Sequence, residues 1–262
     1  MKILFIGDIV GSPGREAVKK LIPQLKKEYQ LNFVIANAEN AAGGSGITAR
    51  VAAELFDSGV NVLTSGDHIW KKPEIFEIID KEERILRPIN FPEGAPGRGK
   101  AIFKADDGMK IGVISVQGRV FMEALECPFR RSREAEEELS GQAKAIVVDI
   151  HAEATSEKIA LGWYLDGKVS AVLGTHTHVQ TADEKILPAG TAYITDVGMT
   201  GAVDSVIGRR IEDVLQRFLT SIPTRFEVAQ ENVQLQGVVL DIDEHTGKAN
   251  SIVRIQRRLL DV

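Results

Sequence analysis

The sequence predicts an α/β domain built on a largely parallel sheet, with an antiparallel hairpin near its C-terminal end. Three features indicate this class. Short apolar runs alternate with amphipathic segments of helical length, the order strand–helix–strand recurs, and a short turn joins the last two strand-like runs. No linker or low-complexity tract interrupts the pattern, so we predict a single domain over residues 1–262.

The first half of the chain follows this alternation closely. Strands are predicted at residues 2–8, 32–40 and 60–68, and helices at residues 12–29 and 48–59. Ser12 is the expected N-cap of the first helix, with Pro13 in its first turn. Gly59 is expected to end the second helix, because glycine adopts the left-handed conformation of a C-terminal cap without strain. Repeated strand–helix–strand units imply crossover connections and parallel pairing.

The second half repeats the pattern and then changes. Strands are predicted at residues 110–118, 145–153, 170–179 and 191–198, and helices at residues 132–142 and 156–167. The runs at residues 233–243 and 249–259, around the turn EHTG, predict the hairpin. Residues 87–103 are rich in proline and glycine. We expect a long loop there, of the kind that often carries function.

The composition excludes several classes of protein. A net charge of −5 argues against a general nucleic-acid or acidic-membrane binder, because such proteins usually carry a basic face. The single cysteine, Cys127, rules out an intramolecular disulfide and favours a reducing compartment. No apolar run has the length of a membrane span or of a signal-peptide core. We therefore expect a cytoplasmic protein with neither a membrane nor a stable nucleic-acid partner.

Polar residues gather at the carboxyl ends of the predicted strands. They are Asp8, Glu39, Asn40, Asp67, His68, His151, His176 and His178. In open α/β sheets this edge is where sites form, because loops from successive strands converge over one crevice. Four of the five histidines belong to this set, and His245, in the hairpin turn, is interpreted as structural. A single strand-end carboxylate is often only a cap or turn residue, but the joint pattern predicts a functional site.

Two of these histidines lie one residue apart in LGTHTHVQTAD. If the chain turns sharply there, as Gly174 and the threonines permit, the two rings can hold two neighbouring ions. Oxygen and nitrogen ligands without a thiolate favour iron, manganese, zinc or a similar ion. Two ions roughly 3.5–4 Å apart suit in-line attack on phosphorus, in which one carboxylate bridges the ions and a shared hydroxide attacks. The pattern therefore predicts a dinuclear metal centre for phosphoryl chemistry.

Six segments of the chain resemble one known family. In order they are GDIVG, NAENAAGGSGIT, SGDHIW, DIHAEATSEK, GTHTHVQTAD and TDVGMTG. They resemble the YmdB family of bacterial metallophosphoesterases, in the calcineurin-like superfamily, over nearly the whole chain. The resemblance implies an α/β/β/α sandwich and two metal ions, usually assigned as iron, with manganese or zinc as alternatives. It also implies phosphodiesterase activity on 2′,3′- or 3′,5′-cyclic nucleotides.

The resemblance implies a role for each strand-end residue. The first metal ion would be held by Asp8, Glu39, Asn40 and His178. The second would be held by the shared Glu39 and by Asp67, His151 and His176. His68 would be the general acid that protonates the leaving oxygen. Asp67 departs from the family pattern, which typically has asparagine there, and the additional carboxylate affects metal affinity and turnover rather than the fold.

Three functional hypotheses follow. The first is a dinuclear metal phosphodiesterase acting on cyclic nucleotides. The second is a phosphatase of monoesters or phosphoproteins with the same centre. Relative rates on monoesters and diesters distinguish it from the first. The third is a nucleotide-sensing regulatory protein that is slowed or disabled by Asp67. Metal content and turnover of a diester distinguish it from the first. The expected partner is a small-molecule cyclic nucleotide or phosphodiester substrate, and we expect the chain to form a homo-oligomer.

Overall fold

Two β-sheets pack face to face, and helices cover their outer faces. The structure is a computed structural model that describes residues 1–260, so the predicted domain extends two residues beyond the described range. The strands are β1 (Lys2–Ile6), β2 (Asp8–Ile9), β3 (Phe33–Asn37), β4 (Val62–Thr64), β5 (Lys100–Lys104), β6 (Lys110–Gln117), β7 (Ala145–His151), β8 (Ala171–Thr175), β9 (Lys185–Ile186), β10 (Ala192–Ile194), β11 (Met199–Ala202), β12 (Val233–Ile242) and β13 (Ala249–Arg258). The α-helices are α1 (Gly11–Tyr29), α2 (Ala49–Asp57), α3 (Pro128–Ser140), α4 (Thr155–Tyr164) and α5 (Ile211–Thr220), and Pro73–Glu77 forms a 3₁₀ helix.

The order of strands confirms the predicted α/β/β/α sandwich. The first sheet runs β2–β11–β12–β1–β3–β4, with β13 beside β12, and the second runs β5–β6–β7–β8–β10–β9. Parallel pairing joins β1, β3 and β4 in the first sheet and β6, β7, β8 and β10 in the second. The predicted hairpin of β12 and β13 is present. Its first strand, β12, lies inside the first sheet, with β13 along one side and β1 and β11 along the other.

The apolar runs of the strands explain the four layers. In β1, Ile3 and Phe5 belong to the cluster between the two sheets, whereas Leu4 and Ile6 pack with α1 and α2. Successive side chains of a strand point to opposite faces, so a strand that is covered on both faces must be apolar throughout. A third cluster joins the second sheet to α3 and α4, where Leu161 is fully buried.

The start of α1 differs from the prediction. Ser12 is not the N-cap, because the helix begins at Gly11 and Val10 precedes it without a side-chain hydrogen bond. Backbone contacts position this turn instead. The N–H of Val10 donates to the carbonyl of Thr200, and the N–H of Gly11 donates to the carbonyl of Asn40. The proline predicted in the first turn lies there.

Other boundaries also shift. Gly59 follows the C-cap of α2 with a φ of +98°, as expected. Helix α3 begins at Pro128, four residues before the predicted start, because proline is favoured in the first helical turn. The predicted loop at residues 87–103 is shorter, since β5 begins at Lys100. Helix α5 and strands β9 and β11 were not predicted. No helix in residues 1–260 combines the length and the apolar character needed to cross a membrane.

Candidate metal centre

All eight predicted site residues meet in one polar network at the carboxyl ends of the strands. In chain order they are Asp8 in β2, Glu39 and Asn40 after β3, Asp67 and His68 after β4, His151 at the end of β7, and His176 and His178 after β8. Parallel strands present their carboxyl ends at one edge, and here both sheets contribute to it. The convergence that the sequence predicts is therefore present.

Four of these side chains form a tight cluster. Glu39, Asp67, His151 and His176 each offer one ligand atom, and these atoms lie within 4.8 Å of one another. Nε2 of His151 lies 3.1 Å from Oε2 of Glu39, 3.3 Å from Oδ1 of Asp67 and 3.0 Å from Nδ1 of His176. Two carboxylates and two imidazoles are a donor set for first-row transition metals. The same four residues are those that the family resemblance implies for the second ion.

Of the other predicted ligands, Asn40 contacts the second oxygen of Glu39, and His178 links Asn40 to Asp8. Nδ2 of Asn40 lies 2.9 Å from Oε1 of Glu39 and 3.3 Å from Nε2 of His178. That same nitrogen of His178 lies 3.6 Å from Oδ1 of Asp8. Glu39 thus contacts both groups through different oxygens, which is the placement that a bridging carboxylate requires.

The electrostatics of the cluster fit metal cations. Oδ1 of Asp8 and Oδ1 of Asp67 are buried and accept no hydrogen bond, and unpaired buried acceptors cost free energy. Burial lowers the pKa of His151, but the carboxylates of Glu39 and Asp67 raise it well above its ordinary value. The buried carboxylates therefore draw a proton onto this imidazole. A metal ion supplies the same positive charge and displaces such protons when it binds.

Hydrogen bonds on the outer nitrogen orient the imidazoles of the His-x-His pair. Nδ1 of His178 donates to the carbonyl of Ile207 at 3.0 Å, which leaves Nε2 facing the centre. The roles are reversed in His176, where Nε2 lies 3.2 Å from a carboxylate oxygen of Glu153 and Nδ1 faces the cluster. Metal-binding histidines generally donate their second ring N–H in this way.

The sharp turn predicted for this pair is present, but Gly174 does not make it. Gly174 lies within β8, where a side chain would collide with the carbonyl of Thr195. The turn occurs at the histidines themselves, with φ of +96° at His176 and +63° at His178. Such conformations cost about 1–3 kcal/mol each in residues other than glycine, so the surrounding structure must hold them.

A buried ion pair holds the turn from behind. Oδ2 of Asp196 accepts hydrogen bonds from the backbone N–H and the hydroxyl of Thr177, at 3.1 and 2.6 Å. Nζ of Lys158 lies 2.8 Å from the same oxygen, and Oδ1 accepts from the N–H of Gly198. Thr177 stands between the two histidines, so these contacts fix the backbone that carries both rings.

A second polar network joins the two sheets beneath the cluster. Asp149 is fully buried in β7 and accepts hydrogen bonds from Thr175 at 2.7 Å, Thr64 at 2.5 Å and Asn37 at 3.0 Å. Because Thr175 donates to Asp149, its oxygen can accept from Nδ1 of His151 at 2.9 Å, which leaves Nε2 for the cluster. Burial raises the pKa of Asp149 to about 6.

Neither the ion pair of Lys158 with Asp196 nor the network around Asp149 was predicted from the sequence. Only the network around Asp149 has a spacing in the sequence that could have indicated it. Asn37 lies two residues before Glu39, and Asp149 lies two residues before His151. Side chains two apart in a strand share a face, so that spacing marks them as neighbours of predicted ligands. Lys158 is in the middle of a helix and carries no such mark.

His68 lies beside the cluster and outside its ligand group. Its Nδ1 is 2.8 Å from Oδ1 of Asn40 and 3.2 Å from Oε1 of Glu39, and its Nε2 is 3.6 Å from Asp67. The ring remains 30% exposed, which leaves it open to a bound molecule. The hydrogen bond with Glu39 raises the pKa of His68, although burial opposes this effect.

Sequence comparison with known families identifies the family of this chain. The sequence matches the family described as YmdB-like protein over residues 4–255. The chain belongs to the YmdB-like family. The resemblance seen in the six sequence segments is therefore confirmed.

Relatives of this YmdB-like chain match it over nearly its full length. It is 53% identical to the 2′,3′-cyclic-nucleotide 2′-phosphodiesterase of Bacillus subtilis (strain 168), over 97% of the chain and 96% of the relative. It is 35% identical to a putative phosphatase/phosphodiesterase of Mycoplasma genitalium, over 98% of the chain and 92% of the relative.

Two solved structures share the fold of the YmdB-like chain. A hypothetical protein from Thermus thermophilus has a TM-score of 0.92 at 41% identity, with 98% of this chain and 99% of that one covered. A novel phosphatase from Mycoplasma pneumoniae has a TM-score of 0.91 at 34% identity, with coverage of 98% and 93%.

Proposed function

We propose that this YmdB-like protein is a metal-dependent phosphodiesterase that hydrolyses 2′,3′-cyclic nucleotides with two metal ions. The observation that carries the proposal is the position of Glu39. One of its oxygens contacts His151 in the four-residue cluster, and the other contacts Asn40. The name of the Bacillus subtilis relative supports the class of substrate.

The proposed ligands are those that the sequence resemblance implies. They are Asp8, Glu39, Asn40 and His178 for one ion, and Glu39, Asp67, His151 and His176 for the other. We propose iron, because the family resemblance implies it. Oxygen and nitrogen donors without a thiolate suit manganese or zinc equally, and these are the alternatives. Two such cations, when bound, activate water and neutralise charge on phosphoryl oxygens.

The chain supplies the proton for the leaving group. Cleavage of the 2′-ester breaks the bond between phosphorus and the 2′-oxygen, which leaves as an alkoxide unless it takes a proton. His68 is proposed to donate that proton from Nε2, because its Nδ1 is held by Asn40 and Glu39 and the ring is partly exposed. The product keeps its phosphate as a 3′-monoester, and the imidazole recovers its proton from water.

The proposal is tested on protein reconstituted with iron. Elemental analysis should approach two ions per chain, and 2′,3′-cyclic AMP should yield 3′-AMP. Glu39→Gln removes the negative charge of the shared ligand, so it should lose both metal and turnover. His245→Ala is the matched control, because His245 lies in the hairpin turn away from the centre, and it should lose neither. Loading that never exceeds one ion, or full loading without diester turnover, would contradict the proposal.

A second candidate is a phosphomonoesterase or phosphoprotein phosphatase. The names of the Mycoplasma relatives, which include a phosphatase, favour its inclusion. Rates on 2′,3′-cyclic AMP, 3′,5′-cyclic AMP and a phosphomonoester, measured on the same sample, distinguish the candidates. If the iron-loaded protein binds cyclic nucleotides without turnover, the regulatory hypothesis takes their place.

We also propose that the protein self-associates through the exposed face of α5. Four large apolar side chains of this helix are 41–82% exposed, and they are Ile211, Leu215, Phe218 and Leu219. The first turn carries Glu212 and Asp213 and the last turn carries Arg217. Two antiparallel copies would therefore place opposite charges together while covering the apolar stripe. Sedimentation should show a homo-oligomer that Leu219→Asp dissociates, and a monomeric wild type would refute this part.

The remaining parts of the proposal concern the setting of the enzyme. We propose that it acts as a single domain in the cytoplasm without a nucleic-acid partner. The single cysteine and the net charge of −5 support this setting. Cell fractionation and an assay for bound nucleic acid in the purified protein test it.

A further inference from the structure

A loop that follows β6 is clamped at both ends by one buried side chain. Residues 118–125 form this loop, which we call the β6 arm. Asn90 is fully buried, and its Nδ2 donates to the carbonyl of Gln117 at 2.8 Å and to that of Glu126 at 3.1 Å. Its Oδ1 accepts from the N–H of Gln117. The residues that flank the arm are therefore held by the same amide.

A buried carboxylate holds the arm between its ends. Glu157 of α4 is 6% exposed. It accepts hydrogen bonds from the backbone N–H of Arg119 and of Val120, at 3.1 and 3.2 Å. Hydrogen bonds to a charged acceptor are among the stronger ones in proteins, so the backbone of the arm is anchored up to its tip.

The tip of the arm presents an aromatic ring to solvent. Phe121 is 89% exposed, more than any other large apolar residue in the described chain. Its φ of +64° is a strained conformation for a residue with a side chain. The ring gains little burial within the described chain, so packing does not explain the strain at this residue. Strain of this kind clusters where a ligand is held.

The β6 arm starts beside the candidate metal centre. Strand β6 is parallel to β7, Gln117 is in register with His151, and the N–H of Gly118 donates to the carbonyl of His151 at 2.9 Å. Glu157, which anchors the arm, also belongs to a segment that reaches the centre. It lies four residues after Glu153, whose carboxylate is 3.2 Å from Nε2 of His176. Both contacts place the arm at the rim of the proposed active site.

We propose that Phe121 stacks on the base of the bound nucleotide while the phosphate binds at the metal centre. The inference rests on the proposed function and adds to it a subsite for a planar heteroaromatic base. Every base has a π face, so stacking on a phenyl ring does not depend on which base is bound. The subsite should therefore take purines and pyrimidines alike. The chemistry at phosphorus would not depend on the ring.

The test compares a substrate with a base and one without. Phe121→Ala should raise KM for 2′,3′-cyclic AMP about tenfold, within the range of a single stacking contact, and leave kcat within about twofold. Ethylene phosphate, a five-membered cyclic diester without sugar or base, should be hydrolysed equally by both proteins. Phe121→Trp should restore the low KM. Trp163→Ala, which removes a 54% exposed aromatic ring from α4, is the control and should leave both substrates unaffected.

The outcomes separate this inference from the proposed function. If the wild type hydrolyses neither diester when loaded with metal, the proposed function fails. If it hydrolyses both and Phe121→Ala shows an unchanged KM for 2′,3′-cyclic AMP, the subsite is wrong and the proposed function stands. Equal losses on both substrates would also overturn the subsite, since the ring would then act on the centre itself. Because the ring is exposed, the variant should fold, which thermal unfolding of the purified protein verifies.

Discussion

Replacing Asp196 with asparagine removes the charge that supports the His-x-His turn while it keeps the shape of the side chain. Nζ of Lys158 lies 2.8 Å from Oδ2 of Asp196, and the two side chains are 1% and 0% exposed. The same oxygen accepts two hydrogen bonds from Thr177. Asp196→Asn therefore leaves a buried ammonium group without its counter-charge.

The size of the effect follows from this burial. Removal of one partner from a buried ion pair typically costs about 3–5 kcal/mol, and we expect about 3 kcal/mol because the amide oxygen of asparagine can still accept a hydrogen bond. In a chain of this size that lowers Tm by about 6–12 °C. The turn at His176 and His178 also relaxes, since both residues have positive φ. Metal affinity should then fall about 10–100-fold, as it does when a ligand loses its support.

Thermal unfolding and metal titration measure these effects, and Asp241→Asn is the matched control. The pair of Lys2 and Asp241 is equally short, at 2.7 Å, but its side chains are 41% and 30% exposed, so the loss should stay below about 1 kcal/mol. Lys158→Met combined with Asp196→Asn should recover part of the lost stability, because no unpaired charge remains buried. If Asp196→Asn matched the wild type in both Tm and metal affinity, the ion pair would not hold the turn and the reasoning would be refuted.

Four further predictions concern single side chains. His68→Ala should lose about 10²–10⁴-fold in rate and keep both metals, with smaller losses for nitrophenolate leaving groups; equal losses for all leaving groups would argue against an acid. Asp67→Asn should bind the second ion more weakly and turn over faster at saturating metal, and unchanged metal affinity would show that Asp67 is not a ligand. Thr175→Val removes the hydroxyl between Asp149 and His151, so affinity for that ion should drop about 10–100-fold in a metal titration; an unchanged titration would contradict its orienting role. Burial raises the pKa of Asp183, but hydrogen bonds from Thr181 and Thr195 outweigh it and lower the pKa overall. Its stabilising effect is present above the unfolded pKa and is lost as the pH falls through the folded pKa. Asp183→Asn should therefore reduce stability in urea at about pH 7, and its difference from the wild type should shrink as the pH falls below the ordinary aspartate pKa of about 3.9; a difference independent of pH would refute this.

The sequence by itself determined the layers and the residues of the candidate centre. A continuous apolar run, as in β1, is a local property of a strand covered on both faces, so it can be read without the fold. The same holds for polar residues at strand ends, such as His151 or the pair in LGTHTHV, because the end of an apolar run locates the edge of the sheet. The α/β class and the convergence of eight site residues were predicted in this way, whereas the family and the two-sheet sandwich were implied by the resemblance of six sequence segments.

Only the tertiary structure decided which distant segments meet. Strand β12 pairs with β1 so that Asp241 lies opposite Lys2, and α1 begins where contacts with Thr200 and Asn40 place it rather than at Ser12. The ion pair of Lys158 with Asp196 and the contacts of Asp149 with Asn37 and Thr64 likewise join separate elements. A buried polar group needs a partner in space, and nothing in its own neighbourhood of the sequence specifies which residue that partner is.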